Sequence, residues 1–348
     1  MHGSTRGLLY AVLDDGERVP VIDVTHPAFR LDIDAHELER QVKAAVDTVR
    51  SHQEMPEAER RRHMDGLLRG SFLAPRIAAA RGSVLDGIST YLLKLGPDQL
   101  GDQASAVDRA IAASVPSLSC RLRLQHMAHL AAAALEALLP GRPGAPILML
   151  NIAGGPGMDS LNALIVLRGS HPELLEHRPI VIRILDIDAA GPALGARALD
   201  ALQGAGGPLE GLRVDFQRVP FDWTRPEGLR AQGSSGVGSL PVLAVFSEGG
   251  LFDYASDDQV LAVLEQLPPP TDRGGFLAGS VSRGDGAARI LNEAGQTAVR
   301  LRMLDGFSRL TARAGWSAAR VMESPLSWEV LCTAGTPAAG APQAPRPA

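Results

Sequence analysis

The run from Ile147 to Asp188 limits the folds open to this chain more than any other stretch. It begins Ile147-Leu148-Met149-Leu150-Asn151-Ile152, a short apolar segment of the kind that forms a parallel strand buried on both faces. The segment breaks at Ala153-Gly154-Gly155-Pro156-Gly157, where missing Cβ atoms let backbone approach a ligand closely. Met158 to Leu167 follows as a predicted helix, and its first free N–H groups point back at whatever the turn holds. A second apolar run, Ile180 to Leu185, ends in Asp186-Ile187-Asp188. Strand, glycine turn, helix, strand and terminal acid together describe a nucleotide-type site. The chain holds 37 glycines, so a glycine cluster alone carries little weight; the acid at the end of the next strand supplies the rest. Asp188 is open to two readings, a ligand contact or the cap of the helix that follows.

The segment Asn151-Ile152-Ala153-Gly154-Gly155-Pro156-Gly157 resembles the first motif of class I S-adenosylmethionine (SAM)-dependent methyltransferases, an acid followed by three alternating glycines. Gly155 and Gly157 match the second and third glycines. Asn151 replaces the acid, and Ala153 replaces the first glycine. The resemblance implies that Asn151 bonds the amino-acid end of the ligand without a charge, and that Asp186 binds the ribose. The spacing from Gly157 to Asp186 implies an added loop near Ser170 to Pro179. Asp222, in Pro220-Phe221-Asp222-Trp223, resembles the acid that receives the adenine amino group, with Phe221 or Trp223 covering the adenine face. A turn acid and a half-buried aromatic are the plainer alternatives.

The rest of the chain fits around this centre. Leu8–Leu13 and Val19–Val24 read as short strands about an Asp14-Asp15-Gly16-Glu17 turn, followed by a Thr25–Phe29 segment that is either lid or edge. Asp34-Ala35-His36-Glu37 has capping-box form and opens a helix. Further helices are predicted over Glu57–Leu68, Phe72–Leu95 with a break at Gly82 or Gly87, Val107–Ala113 and Leu118–Leu139. The basic and acidic run in Glu57–His63 reads as a solvated face. After Asp188 come a helix over Ala193–Gln203 and strands over Leu212–Val219 and Leu240–Ser247. A helix capped by Asp257 runs through Leu267, and a strand over Gly274–Val281 follows Pro268-Pro269-Pro270. Asn292–Asp305 reads as a helix or mixed segment, and Ala319–Glu323 and Trp328–Thr333 as closing strands. The expected architecture is α/β: a Rossmann-like, seven-stranded class I methyltransferase fold with an N-terminal, mainly helical cap. Residues 1–140 form the cap or substrate region, 141–333 the SAM-binding core and 334–348 a disordered tail. Residues 34–140 are expected to lie over the carboxyl edge of the sheet.

Length and composition bound the rest. At 348 residues, 45% apolar and a formal charge of −5, the chain has room for a nucleotide-binding core and a substantial addition. Lysine occurs only at Lys43 and Lys94, and no basic block sits beside an aromatic series, so a nucleic-acid surface is not expected. Cys120 and Cys332 are far apart with no metal-ligand spacing around them, which fits a cytoplasmic protein without a metal. No membrane span or secretory segment is expected. A homodimer is left open.

The stretch Glu248-Gly249-Gly250-Leu251-Phe252-Asp253-Tyr254 is similar to a segment of leucine carboxyl and polyketide O-methyltransferases, in which Glu-Gly and a later Tyr precede a helix. The resemblance implies a SAM-dependent methyltransferase acting on a small-molecule acceptor, with Glu248, Tyr254 and Tyr91 as catalytic candidates and His26 as a further substrate-side residue. Such an enzyme needs alignment and exclusion of water more than acid–base machinery, because the sulfonium already activates its carbon. A second family, the nicotianamine synthases, resembles Gly154–Leu161 and Asp186–Asp188. It implies transfer of the aminocarboxypropyl arm, or cyclisation of SAM to azetidine-2-carboxylate and methylthioadenosine. A non-catalytic SAM-binding protein and an NAD-dependent oxidoreductase complete the alternatives. Ala153 at the first glycine position, with Asp222 and Glu248, weighs against the last.

Overall fold

The computed structural model describes residues 7–14, 16–233, 240–267 and 274–335. A two-stranded antiparallel hairpin opens it, with β1 (Tyr10–Val12) paired to β2 (Arg18–Pro20). Asp15, in the expected turn, lies outside the described residues. The helices α1 (Ala35–Glu54), α2 (Glu57–Leu68), α3 (Leu73–Ala79), α4 (Gly87–Leu95), α5 (Ala106–Ala113) and α6 (Val115–Leu138) follow. Asp34 caps α1 by accepting the Glu37 N–H at 2.8 Å, whereas Glu37 turns outward to Gln41, so one half of the expected capping box forms. The predicted helix over Phe72–Leu95 is divided as Gly82 and Gly87 suggested.

The central sheet collects β3 (Ile147–Ile152), β4 (Ile180–Leu185), β5 (Val214–Val219), β6 (Val242–Ser247), β7 (Gly275–Ser282), β8 (Trp316–Glu323) and β9 (Ser327–Ala334) in the order β5-β4-β3-β6-β7-β9-β8. The first five in that order are parallel; β9 is antiparallel to β7, and β8 to β9. The crossovers run through α7 (Met158–Ser170), α8 (Ala190–Gln203), α9 (Leu229–Gln232), α10 (Leu251–Tyr254), α11 (Asp257–Gln266), α12 (Gly286–Ala294) and α13 (Leu304–Arg313). A 3-10 turn at Pro172–Leu174 fills the added loop before β4.

Alternation along the strands divides the core in two, as the two-residue period requires. Met149, Ile182, Ala244 and Phe276 face one side with residues of α6, α7 and α8; Leu148, Leu150, Val245 and Leu277 face the other with residues of α11 and α13. Because both faces are covered, β3 and β6 are buried along their whole length and read as continuous apolar runs. A third, smaller cluster joins Val46 of α1 to Ala288 and Leu291 of α12. Thus the amino-terminal helices do two things. The loop before α4 and α4 itself lie at the carboxyl ends of the strands, whereas α6, expected with them over that edge, is a face helix buried through Leu124, Met127, Leu130 and Leu135.

Several boundaries differ from expectation. Ser256, not Asp257, caps α11: its hydroxyl accepts the Gln259 N–H, and Gln259 returns the bond to the Ser256 N–H. The Asn292–Asp305 segment is not one element, since α12 ends at Ala294 and α13 begins at Leu304. Strand β9 runs to Ala334, so pairing with Trp316 claims the first residue of the expected tail; 336–348 and the Pro268-Pro269-Pro270 run lie outside the described residues.

Candidate functional site

A cleft of about 370 Å³ opens at the carboxyl ends of β3, β4 and β6, roofed by the loop before α4 and by α4 itself. Its floor is the glycine turn. Ala153 leaves β3 with φ 53°, and Gly155 and Gly157 follow at 51° and 65°. Left-handed backbone of this kind is easy for glycine and costs an alanine about 1 kcal/mol. Gly155 also meets backbone on two sides: a Cβ added at Gly87 would lie 3.0 Å from the Gly155 Cα, and one at Gly191 would lie 2.8 Å from it. The cap helix, the glycine turn and the start of α8 therefore touch through three glycines. Gly157 does not face the cleft; an added Cβ there would meet Ile184 at 2.5 Å, so its role is packing of α7 onto β4.

Asp186 follows β4 directly. One carboxylate oxygen accepts the Gly155 N–H at 2.9 Å, and the other accepts the Asp188 N–H at the same distance. It holds the turn in place while lining the cleft. Asp188 also lines the cleft, yet its carboxylate accepts the Ala189, Ala190 and Gly191 N–H groups at 2.7–3.3 Å, which ties it to the start of α8. Ile187, between the two acids, is 72% exposed and lines the mouth with Val84 and Trp223. Exposed apolar side chains at a cleft mouth suit a flat, apolar ligand face. Sequence reasoning passed over Ile187, though its place between two acids after a buried strand was the signal.

The opposite end of the cleft is charged. Ser247 stitches the ends of β6 and β3 by donating to the Ile152 carbonyl at 3.0 Å, and the chain then turns at Glu248. The Glu248 carboxylate accepts from Lys94 Nζ at 2.7 Å and from Arg123 Nε at 3.1 Å; Arg123 reaches on to Asp253 at 3.4 Å. All four side chains are nearly buried. Burial works against the Arg123 charge, but Cys120, Glu248 and Asp253 around it hold the guanidinium protonated. Burial pushes the Asp253 carboxyl up, with Arg123 opposing. Lys94, from α4, is a second cleft residue the sequence did not single out, although its rarity was visible.

Of the remaining candidates, Trp223 and Tyr91 line the cleft and the others do not. Asn151, expected to bond the amino-acid end of a ligand, is fully buried beneath the turn, its amide donating to Asp159 and to Ser160 Oγ, and it does not line the cleft. Asp222 is spent on its own turn, accepting the Thr224 N–H at 2.9 Å and the Thr224 hydroxyl at 2.7 Å, and these bonds hold its carboxyl low. Phe221 packs on the second core cluster, and of the two aromatics Trp223 is the one on the cleft. Tyr91 borders the cleft, but its hydroxyl donates to the Pro20 carbonyl at 2.6 Å, and burial raises it. Tyr254 accepts the Leu85 N–H at 3.5 Å; burial first, then Asp253, pushes it up to about 12. Tyr91 thus ties α4 to β2 within the amino-terminal region, and Tyr254 ties the loop before α4 to α10. His26 sits in a turn against Phe29, its Nδ1 accepting the Ala28 N–H at 3.1 Å.

The strand order, the glycine turn after β3 and the acid after β4 define a class I methyltransferase fold. No family model matches the chain, and no curated protein matches it by sequence. Among solved structures it is similar to a possible exported protein from Bordetella parapertussis, at 16% identity and TM-score 0.55, over 88% of this chain and 100% of that one. It is also similar to magnesium protoporphyrin IX methyltransferase from Synechocystis PCC 6803 with bound S-adenosylhomocysteine, at 14% identity and TM-score 0.42, over 64% of this chain and 89% of that one. Among the described residues, no helix is long and apolar enough to cross a membrane.

Proposed function

We propose that the chain is a SAM-dependent methyltransferase acting on a small-molecule acceptor. The observation that carries this reading is the meeting, in one roofed cleft, of the left-handed glycine turn with Asp186, whose carboxylate both braces Gly155 and faces the cleft. Asp186 is suited to ribose hydroxyls, and Ile187 and Trp223 to the adenine faces. The backbone of Gly154 and Gly155 lets the nucleoside lie close. The roof formed by the α4 region excludes water from the reacting carbon, and the acceptor's nucleophile lies in line with the methyl and the leaving sulfur. Glu248 takes part through Lys94 and Arg123 rather than as a free base.

The test is calorimetric titration of the protein with SAM, S-adenosylhomocysteine and NAD. Binding of the first two without NAD supports the reading; tight NAD binding with no heat from SAM ends it. Asp186→Ala removes a charge-assisted hydrogen bond and is expected to weaken S-adenosylhomocysteine about tenfold or more. Mass spectrometry of the nucleoside product then distinguishes reactions. S-adenosylhomocysteine formed with an acceptor supports methyl transfer, whereas methylthioadenosine formed by enzyme and SAM alone removes it.

A further inference from the structure

The sheet edge sets the order in which a cleft ligand meets its partners. Trp223 follows β5, Asp186 and Ile187 follow β4, the glycine turn follows β3 and Glu248 follows β6, in the strand order β5-β4-β3-β6. A nucleoside whose ribose sits at Asp186 and whose base points toward Trp223 sends its remaining arm across Ala153 and Gly154 to Glu248. Waiting there is one of only two lysines in the chain. Lys43 is exposed on α1 and pairs with Asp47. Lys94 is 8% exposed, lines the cleft and projects from the roof helix.

A lysine ammonium has three donors. Among the described residues, the partner of Lys94 Nζ is Glu248 Oε2 at 2.7 Å, which leaves donors for the cleft. The four ion-paired side chains balance in charge, Lys94 and Arg123 against Glu248 and Asp253. A single carboxylate entering their cluster would leave one negative charge in excess at a nearly dry site, which is costly. A group bearing one carboxylate and one ammonium leaves the balance unchanged. A carboxylate also has more acceptor sites than the two that Lys94 and Arg123 occupy, so Glu248 has capacity for an ammonium.

We propose that Lys94 and Glu248 form a recognition site for a zwitterionic α-amino-acid end, Lys94 taking the carboxylate and Glu248 the ammonium. The ligand then becomes a bridge between α4 in the roof and the end of β6 in the sheet, joining the two parts that the Lys94–Glu248 pair joins at rest. This assignment rests on the SAM reading of the cleft and adds to it the pair that selects the arm.

The experiment compares three nucleosides by calorimetry: S-adenosylhomocysteine, its decarboxylated analogue with an ammonium-only arm, and 5′-methylthioadenosine, which lacks the arm. Against the unmodified protein, S-adenosylhomocysteine is expected to bind about tenfold or more tightly than either of the others. Lys94→Gln is expected to erase that advantage while leaving methylthioadenosine within about twofold, a split that general loosening of the roof would not produce. Should Lys94→Gln fail to fold, the comparison on the unmodified protein decides alone. Equal affinity for S-adenosylhomocysteine and its decarboxylated analogue overturns the proposal while the nucleoside reading stands. An advantage that survives in Lys94→Gln overturns it as well. If the unmodified protein binds none of the three, the SAM reading and this one fall together.

Discussion

Asp159, the second residue of α7, shows how far burial sets the chemistry of a single side chain. It is 2% exposed, and one of its oxygens has no hydrogen-bond partner. Burial first, and Glu248 second, push its carboxyl up to about 7 from an ordinary 3.8, against the Ser160 N–H, Lys94 and Asn151. A carboxyl raised in the folded state binds more protons there than in the unfolded chain. Its contribution to stability is therefore fully present below the ordinary value and is lost as the pH rises through about 7. Asp159→Asn keeps the shape and removes the ionisation. The variant should be more stable than the unmodified protein at pH 8 by roughly 2–4 kcal/mol, and should show little advantage near pH 4. Denaturant titrations at the two values check this; a gain that does not change with pH would refute the linkage. The residue scale is also where the sequence was least legible. Asp186 and Glu248 could be placed because each follows an apolar run that reads as a strand, and Trp223 through its place in the Pro220-Phe221-Asp222-Trp223 segment after a predicted strand. Lys94 could not, because its partner lies 154 residues away and a helical lysine is ordinarily solvated. Asp222 was readable both ways, and the Thr two residues later, which supplies two bonds to its carboxylate, was the local signal for the turn.

Among the elements, α8 carries a face made for contact with the glycine turn. Gly191 and Gly195 stand one turn apart on it. An added Cβ at Gly195 would lie 2.2 Å from the Pro156 carbonyl oxygen and 2.8 Å from the Phe216 ring, both closer than real Cβ contacts allow. Helix propensity alone favours Gly195→Ala by about 1 kcal/mol. Here the obstruction is backbone, which cannot rotate away, and forcing a methyl into a packed interface costs typically about 1–3 kcal/mol. The steric effect should win: Gly195→Ala is expected to lower the melting temperature, and to weaken nucleoside binding by moving Pro156 and the turn. A higher melting temperature would show that propensity decides instead. The buried strands were legible in the sequence because burial on both faces favours apolar residues, with Asn151 and Arg183 as exceptions, and β3 and β4 begin and end where their runs do. The α12–α13 region was not. The segment from Gly295 to Met303 is held by ties such as Arg300 N–H to the Asp253 carbonyl at 2.6 Å, and bonds between distant segments leave no period to read.

For the whole molecule, the open issue is whether the amino-terminal 140 residues are a detachable cap. The packing favours the opposite. Helix α6 lies on α7 and against β7 and β9, and its Leu124, Met127, Leu130 and Leu135, each at most 1% exposed, belong to the same apolar cluster as Ile147, Met149 and Phe276 of the sheet. Fully burying a side chain of this size contributes roughly 1.5–3 kcal/mol. Four of them supply on the order of 6–12 kcal/mol, comparable with the entire net stability of an ordinary domain, about 5–15 kcal/mol. Further ties run the length of the chain: α1 packs on α12 through Val46 and Leu291, and His126 of α6 meets the fully buried Glu329 of β9 at 2.9 Å. Residues 141–335 produced alone should therefore fail to form a cooperative native state, bind a hydrophobic dye and give no sigmoidal thermal transition. The full chain should unfold in one step by circular dichroism and by tryptophan fluorescence, with coincident midpoints, since Trp316 and Trp328 report the sheet while the helical signal includes α6. A soluble 141–335 fragment with its own sharp melt, or two separated transitions in the full chain, would show that the cap is a domain and that α6 contributes far less than its burial implies.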